Sequence, residues 1–296
     1  MKSKSMQYFI LFLGVFALST SAIFVRLAHA PSSITAFYRL LFATLILAPF
    51  LFQNKENWLA LLSLSRKQLG LGLLSGLLLS IHYVLWFESL NYTSVASATV
   101  IVTLQPLFSF VGGYFLFKER YSKGAIATSF VSLIGCFIIG WGDFEVSIQA
   151  LLGDLLAFIA AGVITAYFFV GQHIRKNLAV IPYSILGYSS STIFLAIYAF
   201  TQHVSFVNYP ASTWKAFIGL ALFATILGQM VFNWLLKWLS TSAISMSILG
   251  ETVGTCILAY FILDEVLSLQ QGIGITVTLI GLGLFLFLQN KNSSRS

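Results

Sequence analysis

The stretch Tyr114-Phe-Leu-Phe-Lys-Glu-Arg-Tyr-Ser122 returns 146 residues later as Tyr260-Phe-Ile-Leu-Asp-Glu-Val-Leu-Ser268. The segment Val131-Ser-Leu-Ile-Gly135 returns at the same offset as Val277-Thr-Leu-Ile-Gly281. The chain therefore contains an internal duplication. Each copy contains five apolar stretches of membrane length, and because five is an odd number, the second copy must enter the membrane in the opposite orientation. Such inverted repeats are a building plan of secondary transporters, whose substrate site lies near the bilayer midplane between the repeats.

The composition predicts a protein that spans the membrane. Hydrophobic residues make up 58% of the 296 residues and charged residues only 8%, which is too little polar surface for a soluble domain of this size. A helix needs about 20 apolar residues to cross a hydrocarbon core of about 30 Å. We therefore predict an all-α integral membrane protein with ten spans, near residues 8–29, 31–52, 68–89, 93–117, 122–141, 151–173, 181–202, 213–237, 241–263 and 269–289. The first five-helix repeat is residues 1–141 and the inverted second repeat is residues 151–289, related by a rotation of about 180° around an axis in the membrane plane.

The basic residues predict the orientation of the chain. If the N-terminus is cytoplasmic, alternation of the spans leaves only Lys215 clearly on the outer side. Thirteen basic residues then lie on or near the inner side: Lys2, Lys4, Lys55, Arg66, Lys67, Lys118, Arg120, Lys123, Arg175, Lys176, Lys237, Lys291 and Arg295. The positive-inside rule reads this asymmetry as cytoplasmic N- and C-termini in a multi-pass protein of the plasma or inner membrane. The net charge of +7 is thus a topology signal, and we expect no nucleic acid partner.

Other local features exclude several classes of protein. Lys2 and Lys4, followed by an apolar run and Ala28-His-Ala30, imitate a secretory signal peptide. The run is, however, longer than the roughly 7 to 15 residues of such a peptide, and cleavage would leave the first repeat incomplete. Cys136 and Cys256 do not occupy equivalent positions in the repeats and imply neither a disulfide framework nor a metal site. The sequence has no P-loop, no His/Cys cluster at metal spacing and no nucleophile motif, so we expect no cofactor, no metal and no enzymatic activity.

Short motifs in a fixed order resemble those of a known family. They are Pro31 to Arg39, Thr93 to Pro106, Phe117-Lys-Glu-Arg120 and Ser132-Leu-Ile-Gly135 in the first half, and Gly153-Asp-Leu-Leu-Ala, Asn233 to Ser240, Gly250-Glu251 and Leu263-Asp-Glu265 in the second. Over nearly its whole length the chain resembles the drug/metabolite transporter superfamily, with two EamA-type domains. The resemblance implies a ten-helix carrier of small organic solutes, often moved outward. One departure is Thr252, where the family commonly has a proline, so we expect a milder break in the ninth helix than at Pro106.

Glu251 is the first candidate for solute handling. It lies near the middle of the ninth span, where a charge costs at least about 2.5 to 3.5 kcal/mol and is usually retained for a function. The equivalent residue of the first repeat is the neutral Gln105. The carboxylate could bind a substrate amine or a coupling proton, or it could be a structural group hydrogen-bonded between helices. Gly250-x-x-x-Gly254 would let another helix approach Glu251 closely.

Polar and aromatic residues of other spans complete the candidate site. Arg39 could clamp a carboxylate or pair with Glu251. The resemblance favours a structural role between helices, because this arginine belongs to the family pattern whatever the solute. His82 shares a helix face with Trp86 and has Tyr83 beside it, so the imidazole could contact a flat solute, or a neighbouring hydroxyl could satisfy it. Tyr167, Gln229 and Asn233 are weaker candidates, since such residues often connect helices. We predict that Glu251, Gln105, Arg39 and His82 line one central cavity.

Glu119 and Glu265 are the repeated glutamates of the opening motif. Each ends a span, the first at the inner surface and the second at the outer, and each precedes a serine, Ser122 or Ser268, by three residues. We predict a structural role in the turn for all four residues.

The sequence therefore predicts a secondary transporter, and an exporter, of small organic metabolites such as amino acids or related compounds. It would work by alternating access in the lipid bilayer, with a proton as a candidate coupling ion. The alternative is a lipid-moving protein or a non-transporting membrane assembly protein. A lipid mover should show a lateral polar groove, whereas a solute carrier should enclose its polar residues.

Overall fold

The computed structural model describes residues 4–141, 147–262 and 267–293. All regular elements in these ranges are helical. They are α1 (Lys4–Ala28), α2 (Ser32–Gln53), α3 (Lys55–Leu62), α4 (Arg66–Ser89), α5 (Val95–Val102), α6 (Gln105–Phe117), α7 (Lys123–Gly140), α8 (Ile148–Ile174), α9 (Val180–Thr201), α10 (Ala211–Gly219), a π-helical segment (Leu220–Gln229), α11 (Met230–Leu235), α12 (Thr241–Ile262) and α13 (Leu269–Ser293).

These elements form ten helical stretches that are long and apolar enough to cross a membrane, as predicted. The fourth span combines α5 and α6, and the eighth combines α10, the π segment and α11. The helix bounds agree with the predicted spans to within four residues, and the fourth span, predicted from residue 93, begins with α5 at Val95. The short helix α3 lies between the second and third spans, and its Trp58 ring packs against Phe52 with 5.1 Å between the centroids.

The fifth and tenth spans show the inverted symmetry of the two repeats directly. Ser132 Oγ of α7 donates to the Thr278 carbonyl of α13 at 3.3 Å, and Thr278 Oγ1 donates to the Ser132 carbonyl at 3.5 Å. These two residues are 146 positions apart, so each helix meets its own equivalent. Gly135 faces Thr278 and Gly281 faces Ser132, both at backbone contact distance. A two-fold axis therefore passes between α7 and α13.

The direction of that axis follows from the order of the contacts. Gly124, at the start of α7, lies against Leu288 near the end of α13. The carbonyl of Ile138, near the end of α7, accepts from Gln270 at the start of α13. The two helices are therefore antiparallel. A two-fold axis that relates antiparallel spanning helices is perpendicular to them and lies in the membrane plane, as the odd number of spans per repeat predicts.

Equivalent spans of the two repeats differ in one important respect. The fourth span is interrupted at Thr103 and Leu104, because Pro106 has no backbone N–H to donate to the Val102 carbonyl. The ninth span is the continuous helix α12, and Thr252 stands where the first repeat has Pro106. The sequence predicted a milder break in the ninth helix than at Pro106, whereas α12 has no break between Thr241 and Ile262.

Candidate functional site

The two repeats enclose a small cavity in the middle of the helix bundle. It is lined by Leu18, Arg39, His82, Tyr83, Trp86, Val102, Gln105, Ile164, Phe168, Gln229, Ile248 and Glu251. Its volume is about 20 Å³, which is room for about one water molecule. Of the nine candidate residues named from the sequence, the structure brings seven together here: Arg39, His82, Tyr83, Trp86, Gln105, Gln229 and Glu251.

Arg39 is fully buried and is held by neutral groups. Its Nε donates to Thr225 Oγ1 and its Nη1 to Ser21 Oγ, each at 2.8 Å, and its Cζ lies 4.4 Å from the Tyr83 ring centroid. The remaining nitrogen, Nη2, has no hydrogen-bond partner within the described ranges of the chain. None of these hydrogen bonds reaches Glu251, so the guanidinium of Arg39 and the carboxyl group of Glu251 face the same cavity, and no hydrogen bond joins them in the described part of the chain.

The π-helical segment places the partner of Arg39. Within it, Thr225 Oγ1 donates at 3.0 Å to the carbonyl of Leu220, five residues earlier, and thereby turns its oxygen lone pairs toward Arg39. The same segment ends at Gln229, which lines the cavity. Single-turn π-bulges are common at functional sites, and here ten residues have this geometry.

Glu251 reaches the cavity because α1 and α12 approach closely. Ser19 Oγ donates to the Glu251 carbonyl at 3.2 Å, and Thr255 Oγ1 donates to the Ser19 carbonyl at 3.2 Å. Gly250 packs against Val15 and Gly254 against Ser19, so the Gly-x-x-x-Gly spacing allows the contact that the sequence predicted. The side chain of Glu251 is 4% exposed.

The hydrogen bond of His82 fixes its tautomer. Nδ1 lies 3.0 Å from the carbonyl of Ala160 on α8, and because a carbonyl only accepts, Nδ1 carries the proton. In the neutral ring, Nε2 is then an acceptor. The imidazole is stacked on Trp86, with 6.0 Å between the ring centroids and an interplanar angle of 16°.

The cavity concentrates polar atoms that lack partners. Among the described residues, ten buried side-chain nitrogen or oxygen atoms have no hydrogen-bond partner, and five of them belong to the lining of this cavity. These are Arg39 Nη2, Tyr83 Oη, Trp86 Nε1, Gln105 Oε1 and Gln229 Nε2. Unsatisfied buried groups are costly and rare in folded proteins, so their grouping around one space indicates a place for a polar ligand.

Tyr167 and Asn233, also predicted to contact a solute, lie outside this lining. Tyr167 Oη donates to Asn233 Oδ1 at 3.0 Å, and Asn233 Nδ2 donates to Tyr167 Oη at 2.7 Å and to Tyr188 Oη at 3.3 Å. The carbonyl of Asn233 accepts from Arg175 Nε at 2.8 Å. Because their polar atoms bind one another, these residues connect α8, α9 and α11, which is the structural role weighed against solute contact.

A larger open vestibule lies at one face of the membrane, beside the cavity. It has a volume of about 640 Å³ and is lined at the ends of α1, α2, α4 and α5 by residues that include Arg26, Thr35, Phe87 and Ser94. Thr35 is one turn from Arg39, and Phe87 follows the cavity residue Trp86. The vestibule therefore ends close to the cavity.

The predicted turn residues divide into two roles. Ser122 Oγ accepts from the Ala125 amide and Ser268 Oγ from the Gln271 amide, each at 3.1 Å, so both serines cap the helix that follows. Glu119 instead accepts hydrogen bonds from Tyr121, Gln172 and Ser242, and so contacts helices of the other repeat as well as its own turn. Glu265 lies outside the described residues.

Comparison with known proteins identifies the family. The sequence profile of the EamA-like transporter family matches residues 5–141 and 151–287. The uncharacterized transporter YyaM of Bacillus subtilis is 26% identical over 199 residues, which are 62% of this chain and 65% of YyaM. An uncharacterized transporter of Archaeoglobus fulgidus is 23% identical over 249 residues, covering 81% of this chain and 82% of that protein. The match thus spans slightly less than two thirds of YyaM.

A solved structure supports the fold. One protein crystal structure superposes with a TM-score of 0.80 at 18% sequence identity, over 98% of this chain and 99% of the other. At this identity the likeness concerns the fold alone. Two matches to one family profile, one in each repeat, show that the chain belongs to the EamA-like transporter family.

Proposed function

We propose that this transporter exports small organic solutes, such as amino acids or related compounds, across the cell membrane by alternating access. The observation that carries the proposal is the cavity between the repeats, where Arg39 and Glu251 bring opposite charges to one space and five polar atoms lack partners. Buried charges in a membrane protein usually mark a substrate or ion pathway.

The lining groups suit a solute with both an acidic and a basic end. Arg39 Nη2, Trp86 Nε1 and Gln229 Nε2 are unpartnered donors that would bind a carboxylate. Glu251 and Gln105 Oε1 would accept from an ammonium group. Val102 lines the cavity beside Gln105, and its carbonyl receives no helical hydrogen bond from Pro106, which has no backbone N–H. This division of donors and acceptors supports a zwitterion, which is the charge pattern of an amino acid.

The volume of the cavity supports a transport cycle. A space of about 20 Å³ is too small for an organic solute, so the repeats must move apart to admit one. The vestibule of about 640 Å³ gives a route from one face. The positive-inside rule assigns that face to the outside, because it holds the ends of α1 and α4 and the starts of α2 and α5.

A lipid-moving function fits the structure less well. The lateral groove between α1, α12 and α13 is lined almost entirely by apolar side chains, such as Phe12, Val15, Ile257 and Leu282. A lipid headgroup would need a polar path at this position. The polar residues are instead enclosed in the central cavity, which is the arrangement expected of a solute carrier.

The proposal is tested by counterflow in proteoliposomes. Vesicles loaded with an unlabelled amino acid, amine or carboxylic acid are assayed for uptake of the same radiolabelled compound, with wild type, Arg39→Gln and the exposed control Lys215→Gln. We expect wild type and Lys215→Gln to accumulate a zwitterion and Arg39→Gln to lose at least about tenfold in rate, because a charged hydrogen bond contributes about 1.5 to 3 kcal/mol. Scrambling of fluorescent lipids without counterflow of any solute would instead support the lipid-moving alternative.

A further inference from the structure

The carboxylate of Glu119 joins the two repeats at the membrane face opposite the vestibule. Its Oε2 accepts from Tyr121 Oη at 2.6 Å and from Ser242 Oγ at 3.2 Å, and its Oε1 accepts from Gln172 Nε2 at 3.2 Å. Glu119 and Tyr121 follow the fourth span, whereas Gln172 is in the sixth and Ser242 in the ninth. We call these four residues the Glu119 clamp.

Partners beyond the four residues hold the clamp in position. Gln172 Oε1 accepts from both the amide and the hydroxyl of Thr241, at 2.7 and 2.6 Å. Ser242 Oγ lies 2.7 Å from Tyr121 Oη and also contacts the Ser109 carbonyl at 3.2 Å. Both oxygens of the carboxylate and both ends of the Gln172 amide are therefore occupied by groups of the two repeats.

The local backbone directs Glu119 to this place. α6 ends at Lys118 in the left-handed conformation, with φ of 56°, and the Glu119 amide donates to the Gly113 carbonyl at 3.1 Å, as in a Schellman end. The carboxylate thus turns back over Gly113, where a β-carbon would overlap Tyr121 Oη. Burial, and then the bond to Glu119, raise the pKa of Tyr121 well above its usual value, so its hydroxyl stays a donor.

We propose that Glu119 is the positioning residue that keeps this face closed, and that it must release Gln172 and Ser242 before the cavity opens on this side. α5 and α6 run from the vestibule face at Val95 to the clamp at Phe117, so the two features lie on opposite faces. The consequence for transport rests on the proposed function, but closure of the face can be measured without any solute.

A buried reporter between the clamp and the cavity tests closure. Ser245 is fully buried on α12, between Ser242 and Glu251, and its hydroxyl has no hydrogen-bond partner among the described residues. We would introduce Ser245→Cys in a Cys136→Ser/Cys256→Ser background and measure its reaction with a membrane-impermeant methanethiosulfonate, applied at pH 8 to sealed vesicles of either orientation. Asn91→Cys, exposed at the vestibule, controls for the orientation of the vesicles.

The variant that opens the clamp is Gln172→Glu, because it sets a second carboxylate against Glu119 and keeps the acceptor for Thr241. We expect Ser245→Cys to react at least about tenfold faster from the clamp face, which corresponds to about 1.4 kcal/mol. The exchanged pair Glu119→Gln/Gln172→Glu restores one amide facing one carboxylate, and we expect it to restore the slow reaction. Asn91→Cys should react alike in all variants.

Two outcomes would overturn the proposal. One is an equal reaction rate for the wild-type clamp and Gln172→Glu. The other is a fast reaction in the exchanged pair that matches Gln172→Glu, since the partner charges would then be irrelevant. If Gln172→Glu does not fold, as judged by gel filtration in detergent, Tyr121→Phe removes a single donor to Glu119 and takes its place. An equal reaction rate for Tyr121→Phe and the wild-type clamp would then overturn the proposal.

Discussion

At the scale of single residues, the ionisable groups of the site could be recognised in the sequence, whereas their hydrogen-bond partners could not. Arg39, His82 and Glu251 could be predicted because ionisable groups within spans are rare. Ser21 and Thr225, which hold Arg39, could not, because hydroxyl residues are common in membrane helices and nothing marks the ones that meet a buried guanidinium. Tyr167 and Asn233 were also candidates from the sequence, and their hydrogen bonds to each other could not be predicted from it.

Glu251 provides the test of proton coupling. Glu251→Gln should keep the fold, since glutamine is nearly isosteric and the equivalent position already holds Gln105. If the carboxylate exchanges a proton for the solute, the variant should lose uptake driven by a pH gradient and retain part of its solute-for-solute exchange. The measurement is uptake into proteoliposomes with and without an imposed gradient. Undiminished proton-driven uptake in the variant would rule out Glu251 as the coupling residue.

Substitution of Trp86 distinguishes an effect on solute binding from an effect on stability. The Nε1 of Trp86 has no hydrogen-bond partner among the residues that the structure describes. Trp86→Phe should therefore leave the melting temperature nearly unchanged and raise KM roughly three- to tenfold, as loss of a hydrogen bond of about 0.5 to 1.5 kcal/mol would do. The matched control is Trp214→Phe, because Trp214 Nε1 donates to the Tyr209 carbonyl at 3.1 Å. This control should lose stability and keep its KM. An unchanged KM in Trp86→Phe with a raised KM in Trp214→Phe would mean that the solute does not bind beside Trp86.

At the scale of helices, the sequence predicted the number and the limits of the spans, because each apolar run must match the thickness of the bilayer. It also predicted an interruption at Pro106, since proline removes a helical donor. The π-helical segment could not be predicted. It depends on how Leu220 to Gln229 pack against α1 and α2, and no local residue pattern specifies a π-helix.

The contact between α7 and α13 leads to a prediction about the stability of glycine-to-alanine variants. Gly135→Ala and Gly281→Ala each place a methyl group against the backbone of the facing helix. Each should therefore lower the free energy of unfolding by about 1 to 3 kcal/mol through overpacking. Because the two positions are symmetry equivalents, the losses should be similar. Gly283→Ala, with open space around it, should be neutral or gain up to about 1 kcal/mol in helix propensity. Thermal unfolding in detergent would compare all three, and a loss at Gly283 equal to the others would contradict the symmetric contact.

At the scale of the whole molecule, the inverted repeat could be predicted from one offset of 146 residues, and the reciprocal contacts of Ser132 and Thr278 carry the same offset. The enclosed cavity follows from that symmetry, which brings the fourth and ninth spans together. Its present size could not be predicted. The sequence specifies which helices surround the cavity, whereas its volume depends on the conformational state.

The orientation in the membrane is a separate prediction. The distribution of Lys and Arg predicts that both termini lie in the cytoplasm. A fluorescent protein fused to the C-terminus should therefore fluoresce, and alkaline phosphatase fused at the same point should be inactive. A fusion at the loop before α10 should show the reverse, because Lys215 lies on the outer side in this topology. Active phosphatase at the C-terminus would invert the assignment of the vestibule and the clamp.

The interrupted fourth span and the continuous α12 also bear on the kinetics of a carrier. A hinge in only one of two equivalent spans makes the two half-cycles unlike, so solute should half-saturate the carrier at different concentrations on its two sides. Microscopic reversibility limits this difference: in the absence of any ion gradient, the ratio of maximal rate to half-saturation concentration must be the same for entry and exit. The asymmetry of one helix would thus appear as a high-capacity, low-affinity side and a low-capacity, high-affinity side of a single transport process.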